Sequence, residues 1–411
     1  MPYRNFKTAQ LKNGLTVVGE KMPHVNSAAF AFLVPVGCAY DEPGISGVSN
    51  VMAEMFNRGG GRYDSRSLSD AFEALGVDRG HSSGIETSMY TGVLLGENLH
   101  KIFSIYSDIL QYPHFKEADL VNVKELALQE LKYVEDNPSS KVMREFYRRF
   151  YPGVFGNPRV GTEAGIKNLD SGKLRGFYVK HFVPGNSVIA VSGKFDWENV
   201  LSVITDYFRD WRGDKNLLSP APLSSHDQNF HIEQDTNQLQ IVLGYPSVSI
   251  EHPDFYVANV ATAILSGGMS GRLFVEVREK RGLVYSVFAS HGARKGQPSV
   301  IVYAGTTPQR GQETLDVILA ELNKLSQGVT DDELNRAKAD IKSKLVLQNE
   351  SSFSRASAIA SDWWNLKTIR STEEIKQAID VVSNRDIIRH LHEYPVAART
   401  LVTLGKKGLN F

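Results

Sequence analysis

The sequence predicts an α+β fold built from one unit used twice, each unit a mostly antiparallel sheet with helices packed on one face. Three observations predict it. The stretch from Arg212 to Gln228 (RGDKNLLSPAPLSSHDQ) is rich in Ser, Pro and Asp and has no sustained period, which is linker composition. Strand and helix signals follow the same order on both sides of it. Matching signals are offset by about two hundred residues, as an internal repeat requires. The expected organisation is therefore a first domain over 1–212, a linker over 213–228 and a second domain over 229–411.

In the first half, Leu15–Glu20 and Ala28–Val36 alternate in polarity and read as strands joined by a turn. The turn Asp41-Glu42-Pro43-Gly44 then leads into a small-residue helix, Ser46–Asn57. A second helix, strands and a long helix follow. The long helix starts near Glu117, with acidic residues in the first turn where the helix dipole favours them. Along it, Leu120, Val123, Ala127, Leu131 and Val134 recur at helical spacing. A terminal strand, Val188–Ser192, closes the half. The second half repeats the order: strands His231–Gln234 and Gln238–Tyr245, turn Glu251-His252-Pro253-Asp254, and helix Phe255–Ser266. An acidic start at Thr330-Asp331-Asp332-Glu333-Leu334 opens its long helix, and Thr400–Leu404 is its terminal strand. The likeness is one of pattern, not of identity.

A chain of 411 residues is long enough for two to three domains with real cores. Its 46 basic and 46 acidic side chains cancel, which argues against a nucleic-acid binder. The single cysteine, Cys38, excludes an intrachain disulfide and an all-cysteine zinc site, and reads as a small buried residue. Low cysteine content fits the cytosol. The start, Met1 to Gln10, is polar, and no apolar run reaches the roughly 20 residues a spanning helix needs. The expectation is a cytoplasmic protein without a membrane span, or a periplasmic one if a signal sequence has been removed.

Few side chains point to chemistry. In SGVSNVMAEMFN, Asn50 and Glu54 stand at i and i+4, the spacing by which a helix offers two ligands to one metal. Asn is a poor zinc ligand, however, and the same spacing describes the polar face of an ordinary helix. Glu130 falls seven residues after Val123 and three after Ala127, on the inward stripe of the long helix. A carboxylate there needs a salt bridge, a cation, or an edge position with its head group in water. The turn containing Gly267, Gly268 and Ser270 permits positive φ and close backbone approach, but lacks the Walker ending of a phosphate loop. Arg281 and Tyr285, four apart across a turn, offer a forked donor and a phenol suited to a carbonyl or an oxyanion. The eleven histidines are scattered, only His390 and His392 being close. Trp363-Trp364 reads as core or interface packing. Neither Cys-x-x-Cys nor Gly-x-Ser-x-Gly occurs.

Several segments together resemble one family. They are Leu11-Lys12-Asn13-Gly14-Leu15, Gly37-Cys38-Ala39-Tyr40-Asp41-Glu42, Gly161-Thr162-Glu163, Phe177-Tyr178 and Pro184-Gly185-Asn186. The most specific are Ser270-Gly271-Arg272-Leu273-Phe274 and Arg278-Glu279-Lys280-Arg281-Gly282-Leu283-Val284-Tyr285-Ser286. This set is similar to the inverted-zincin peptidases, the family of pitrilysin, insulin-degrading enzyme and mitochondrial processing peptidase, over nearly the whole chain. Active members carry His-x-x-Glu-His on the first helix, two zinc ligands around a general base, with a distal glutamate as third ligand. Aligned on Gly47 and Met55, those positions hold Asn50, Ala53 and Glu54, and Glu130 matches the distal glutamate.

The resemblance thus implies a degenerate metal site, no metal or other cofactor in this chain, and no peptidase activity from it alone. Arg281 and Tyr285 match the family pair that projects into the active site, with Gly267, Gly268 and Ser270 as candidate substrate contacts. The implied role is the non-catalytic subunit of a heterodimeric zinc peptidase, half of a clam-shell, with zinc in a homologous partner and peptides or unfolded proteins as substrates. In isolation the chain would be a candidate homodimer. Three alternatives stay open. One is a scaffold like the core subunits of the mitochondrial cytochrome reductase complex. Another is a module that captures peptides by strand addition. The third is a self-sufficient peptidase with metal at Asn50, Glu54 and Glu130.

Overall fold

The computed structural model describes residues 6–214, 217–224 and 226–411. Met1–Asn5 of the polar start, and Lys215, Asn216 and Ser225 of the expected linker, lie outside the described residues. The first half contains strands β1 (Phe6–Gln10), β2 (Thr16–Lys21), β3 (Ser27–Val34), β4 (Gly59–Gly60), β5 (Tyr63–Asp64), β6 (Asp78–Ser83), β7 (Ser88–Leu95) and β8 (Val188–Gly193). Its helices are α1 (Val48–Met55), α2 (Ser65–Leu75), α3 (Leu99–Gln111), α4 (Glu117–Asp136), α5 (Pro138–Phe150), α6 (Glu163–Lys167), α7 (Ser171–His181) and α8 (Trp197–Phe208). The second half contains β9 (Gln228–Glu233), β10 (Leu239–Pro246), β11 (Val284–Gly292), β12 (Ser299–Thr306) and β13 (Thr400–Gly405). Its helices are α9 (Phe255–Ser266), α10 (Gly311–Leu325), α11 (Asp331–Asn349), α12 (Ser352–Leu366), α13 (Thr372–Asp380) and α14 (Asn384–Glu393).

The repeat read from the sequence is present in the strand order. One sheet runs β1-β2-β8-β3-β7-β6 and the other β11-β12-β10-β13-β9. Read from the opposite edge, the second is β9-β13-β10-β12-β11, which reproduces β2-β8-β3-β7-β6 strand for strand. Each sheet has one parallel pair, β2 with β8 and β13 with β9, and it falls at the same place in both. The fold is thus a two-domain α+β architecture with mixed sheets.

Burial explains the central strands. β3 (SAAFAFLV) is buried at every position after Ser27. Its Phe30, Phe32 and Val34 enter a core with α1, α3 and α8, where Phe30 meets Tyr106 at 4.9 Å and Phe32 meets Phe208 at 5.6 Å between ring centroids. The alternate residues Ala29, Ala31 and Leu33 face a second cluster with Ala356, Ile359 and Ala360 of α12. A strand covered on both faces reads as a continuous apolar run, and its alanines let a helix approach closely. In the second sheet Leu239, Ile241, Leu243 and Tyr245 of β10 enter the core with α9 and α10. On the other face Gly244 lies against the Phe146 ring of α5, where a Cβ would overlap it.

Each sheet therefore carries, besides its main helical layer, one helix on its second face, and that helix comes from the other half of the chain. The two compact units are accordingly not the contiguous pieces 1–212 and 229–411. The first comprises Met1–Lys132, Asn157–Leu218 and Gln348–Arg370; the second comprises Tyr133–Gly156, Ser219–Leu347 and Ser371–Phe411. The expected linker does contain a crossover, between Leu218 and Ser219. The exchanged segments have no composition break to announce them, since α5 and α12 are ordinary amphipathic helices in sequence. Among the described residues no helix is long and apolar enough to cross a membrane.

Candidate functional site

The first-unit site begins at the entry to α1. Asp41, at the end of the acidic turn, is 5 % exposed and caps the helix: its Oδ2 accepts from Gly47 N at 2.6 Å and its Oδ1 from Ser49 N at 3.1 Å. Burial pushes the Asp41 carboxyl up to about 7, against these hydrogen bonds. Gly47 has φ 103°, and its Cα side is crowded by Gly161, so a side chain there would meet both strain and contact. Val48, Val51, Met52 and Met55 bury the apolar face of α1, as the sequence pattern predicts.

Asn50 and Glu54 project from the remaining face, both half-buried. Asn50 Nδ2 donates to Glu130 Oε2 at 3.0 Å, joining α1 to α4. Glu130 itself is exposed, whereas Leu120, Val123 and Ala127 of the same helix are buried. The expectation that Glu130 lies on the inward stripe is corrected here: of the three ways a carboxylate there could be satisfied, it takes the edge position, with a neutral amide as partner. Ala53, between Asn50 and Glu54 on the same helix, is a buried methyl without acid–base chemistry.

Glu54 sits in a ring of donors. Its Oε1 accepts from Arg58 Nη2 at 2.7 Å, its Oε2 accepts from Asn57 Nδ2 at 3.3 Å, and His81 Nε2 lies 3.6 Å from Oε2. Arg79 Nη1 in turn donates to Asn57 Oδ1 at 2.5 Å, with its guanidinium over the Phe72 ring. Burial pushes the His81 imidazole pKa down, against the pull of the Glu54 carboxylate. Asn57, Arg58, Arg79 and His81 were not legible as site residues in sequence. Arg58 could have been found as the i+4 partner of Glu54. His81 reaches the site only because β6 lies beside α1.

These residues do not fit zinc. The ion needs a convergent set of imidazole, thiolate or carboxylate donors. Here Asn50 turns an N–H toward Glu130, and Glu54 is already paired with a guanidinium whose charge opposes a dication. Among the described residues no group of three or more His, Cys, Asp or Glu side chains is placed to hold a metal ion.

The second unit places the other candidates. Gly267 caps the C-terminus of α9, Gly268 has φ 101°, and Ser270 is exposed beside Met269. A short helix follows over 272–279, of which Phe274–Glu279 is wound as a π-helix. Arg272 is a structural side chain: it holds Glu333 through Nε at 2.7 Å and Nη2 at 3.0 Å, and Nη2 also donates to Gly328 O. Arg281 Nη1 donates to Glu276 Oε2 at 2.8 Å and to Glu276 O at 2.7 Å. Tyr285 is the extra residue of a β-bulge: Val284 pairs with Thr306 and Ser286 with Gly305, and Tyr285 is left over, 73 % exposed. Its strand, β11, is an edge of the sheet. Bulges at edges commonly re-aim a side chain. Arg281 and Tyr285 share no hydrogen bond among the described residues.

The chain, a twice-used α+β unit with Asn50 and Glu54 on the first helix of one copy and an Arg/Tyr turn in the other, shares the fold of M16 metallopeptidases. Two family profiles match it: "Insulinase (Peptidase family M16)" over residues 16–162 and "Peptidase M16 inactive domain" over residues 168–341. The chain belongs to this M16 peptidase family, the inverted zincins. An uncharacterized zinc protease of Rickettsia bellii is 28 % identical over 414 residues, covering 99 % of both chains. One of Bacillus subtilis is 25 % identical over 380 residues, covering 92 % of this chain and 93 % of that one. Solved structures share the fold. A protease from Helicobacter pylori superposes with TM-score 0.90 at 18 % identity, covering 97 % of this chain and 99 % of that one. The M16 inactive domain from Pseudomonas fluorescens gives 0.88 at 19 % identity, covering 99 % of both. A chain of Complex III2 from Candida albicans gives 0.83 at 22 % identity, covering 97 % and 96 %.

Proposed function

We propose that this chain is the non-catalytic subunit of a heterodimeric zinc-dependent peptidase. It carries no zinc of its own; a homologous zinc-bearing subunit supplies the metal, and Arg281 and Tyr285 act in trans on peptide or unfolded-protein substrates. The observation that carries this reading is the contrast between the two units. The first has a methyl group at the base position and an ion pair in place of ligands. The second keeps an exposed phenol on a bulged edge strand and a guanidinium one turn away. In trans, the fork would hold a substrate carbonyl or carboxylate and the phenol would donate to the oxyanion. Loss of such a donor lowers kcat by roughly 10²–10³-fold. Gly268 and Ser270 are exposed beside Met269, and with the half-buried Gly267 they are assigned to substrate contact. Balanced charge and cysteine scarcity favour peptides over polyanions and a cytoplasmic setting.

The test is to purify the chain with its zinc-bearing homologue and assay peptide cleavage with wild type, Arg281→Ala, Tyr285→Phe and the double variant. The reading expects no cleavage by this chain alone, cleavage by the pair, and a loss of 10²-fold or more in the double variant. Full activity in the double variant overturns it. The scaffold reading is favoured by one observation, that Arg281 is already engaged by Glu276, and it expects no effect of any of these variants on a partner's activity.

A further inference from the structure

The π-helix Phe274–Glu279 has a geometric consequence for Arg281. In an α-helix of 3.6 residues per turn, residue i+5 stands roughly 140° away from residue i around the axis. A turn closed by i→i+5 bonds brings i+5 back near i instead. Here Lys280 N donates to Val275 O at 2.9 Å, an i→i+5 closure, while Leu273, Val277 and Leu283 bury the inner side. Glu276 therefore faces two of the cations that follow, Lys280 and Arg281. Lys280 Nζ donates to its Oε1 at 2.6 Å and Arg281 Nη1 to its Oε2 at 2.8 Å. A second bond from Nη1 to the Glu276 carbonyl at 2.7 Å fixes the same nitrogen again. The carboxyl is held below its usual range by these two partners, Lys280 first. π-Turns inside helices occur frequently at functional sites.

Both bonds use Nη1. Arg281 Nε and Nη2 make no hydrogen bond among the described residues, and this edge of the guanidinium is the one that grips an oxygen pair bidentately. Lys280 shares the carboxylate, so one negative charge stands against two positive ones and the Arg281 fork keeps net positive character. We propose that Glu276 is the positioning residue of Arg281: it anchors Nη1 through the π-turn and presents the Nε/Nη2 edge, preformed, to an anionic or carbonyl group of the partner's substrate. The functional half of this inference rests on the subunit reading above; the anchoring half does not.

Two measurements separate them. In the isolated chain, nitrogen-15 NMR of Arg281 is expected to show two distinct η-nitrogen resonances, because anchoring one nitrogen hinders rotation of the group. Glu276→Ala, which leaves Nη1 only the backbone carbonyl, is expected to narrow their separation, and Lys280→Ala to leave them as in the wild type. A single averaged signal in the wild type overturns the anchoring. In the complex with the zinc-bearing homologue, Glu276→Gln is expected to lower kcat about tenfold with KM changed less than twofold. Glu276→Asp should recover part of the loss, and Glu276→Gln/Arg281→Ala should be no worse than Arg281→Ala. Should Arg281→Ala itself leave cleavage intact, the subunit reading fails while the NMR result still judges the anchor. Should Arg281→Ala impair cleavage and Glu276→Gln leave it unchanged or raise it, the positioning role is overturned.

Discussion

Asn50 Nδ2 stands 3.0 Å from Glu130 Oε2, and this amide–carboxylate bond ties α1 to α4. A hydrogen bond to a charged acceptor at a partly exposed site contributes modestly, about 0.5–1.5 kcal/mol. Asn50→Ala is expected to lower stability to urea unfolding by about that amount. Asn50→Asp should lower it further, since two carboxylates then face each other, and added salt should reduce that excess. Equal stability of the Ala and Asp variants at low salt would contradict the pairing.

Asp41 supplies a pH signature for the entry to α1. Its folded pKa is raised to about 7 by burial, whereas in the unfolded chain it titrates near 4. A raised carboxyl gives stability that is fully present below the unfolded value and is lost as pH rises to the folded one. Asp41→Asn keeps a capping oxygen and removes the titration. The stability of wild type relative to Asp41→Asn should therefore fall as pH rises from about 4 through 7, on the order of 1–4 kcal/mol, and level off above the folded value. Denaturant melts across this range read it; a difference independent of pH would show that Asp41 is not a buried titrating group.

The Arg272–Glu333 pair has the opposite sign. The guanidinium holds the Glu333 carboxyl down at about 2. Stability from a lowered carboxyl is present above the unfolded value near 4.3 and is lost as pH falls through the folded one. Arg272→Ala is expected to destabilise by about 2 kcal/mol at neutral pH, since it strands a half-buried carboxylate. The gap to wild type should close as pH drops from 4.5 toward 2. Thermal melts of the two proteins at pH 7 and 3 check this.

The exchanged helices make a prediction about location. Ile359 of α12 is fully buried on the first sheet, and Phe146 of α5 packs against Gly244 of the second. Ile359→Ala and Phe146→Ala should each cost about 2–5 kcal/mol. In hydrogen exchange, Ile359→Ala should weaken protection in β3 and β8, and Phe146→Ala in β10 and β13. Loss of protection in the half that carries each mutation in sequence would contradict the exchange.

The repeat was legible because hydrophobic period, turn chemistry and acidic helix starts are local properties. The start of α4 at Glu117, the whole of α9 and the paired terminal strands β8 and β13 follow from them. The exchanged positions of α5 and α12 were not legible, since an amphipathic stripe states that a helix is covered and not by which sheet. Glu130 is exposed for a related reason: it stands only about 20° around the helix from Val123, but the buried part of α4 ends at Ala127, and only packing shows where along a stripe the cover stops.

The sequence by itself determined the family resemblance, the twice-used unit and the absence of His-x-x-Glu-His, because each is carried by residue identity and spacing. Only the tertiary structure decided what surrounds Asn50 and Glu54. His81 reaches Glu54 from a strand 27 positions further along the chain. Asn50 meets Glu130 across 80 residues. The π-turn that folds Arg281 onto Glu276 depends on how the helix winds. Contacts between distant segments, and the handful of degrees that separate one winding from another, are set by the balance of packing over the whole unit, which no local pattern contains.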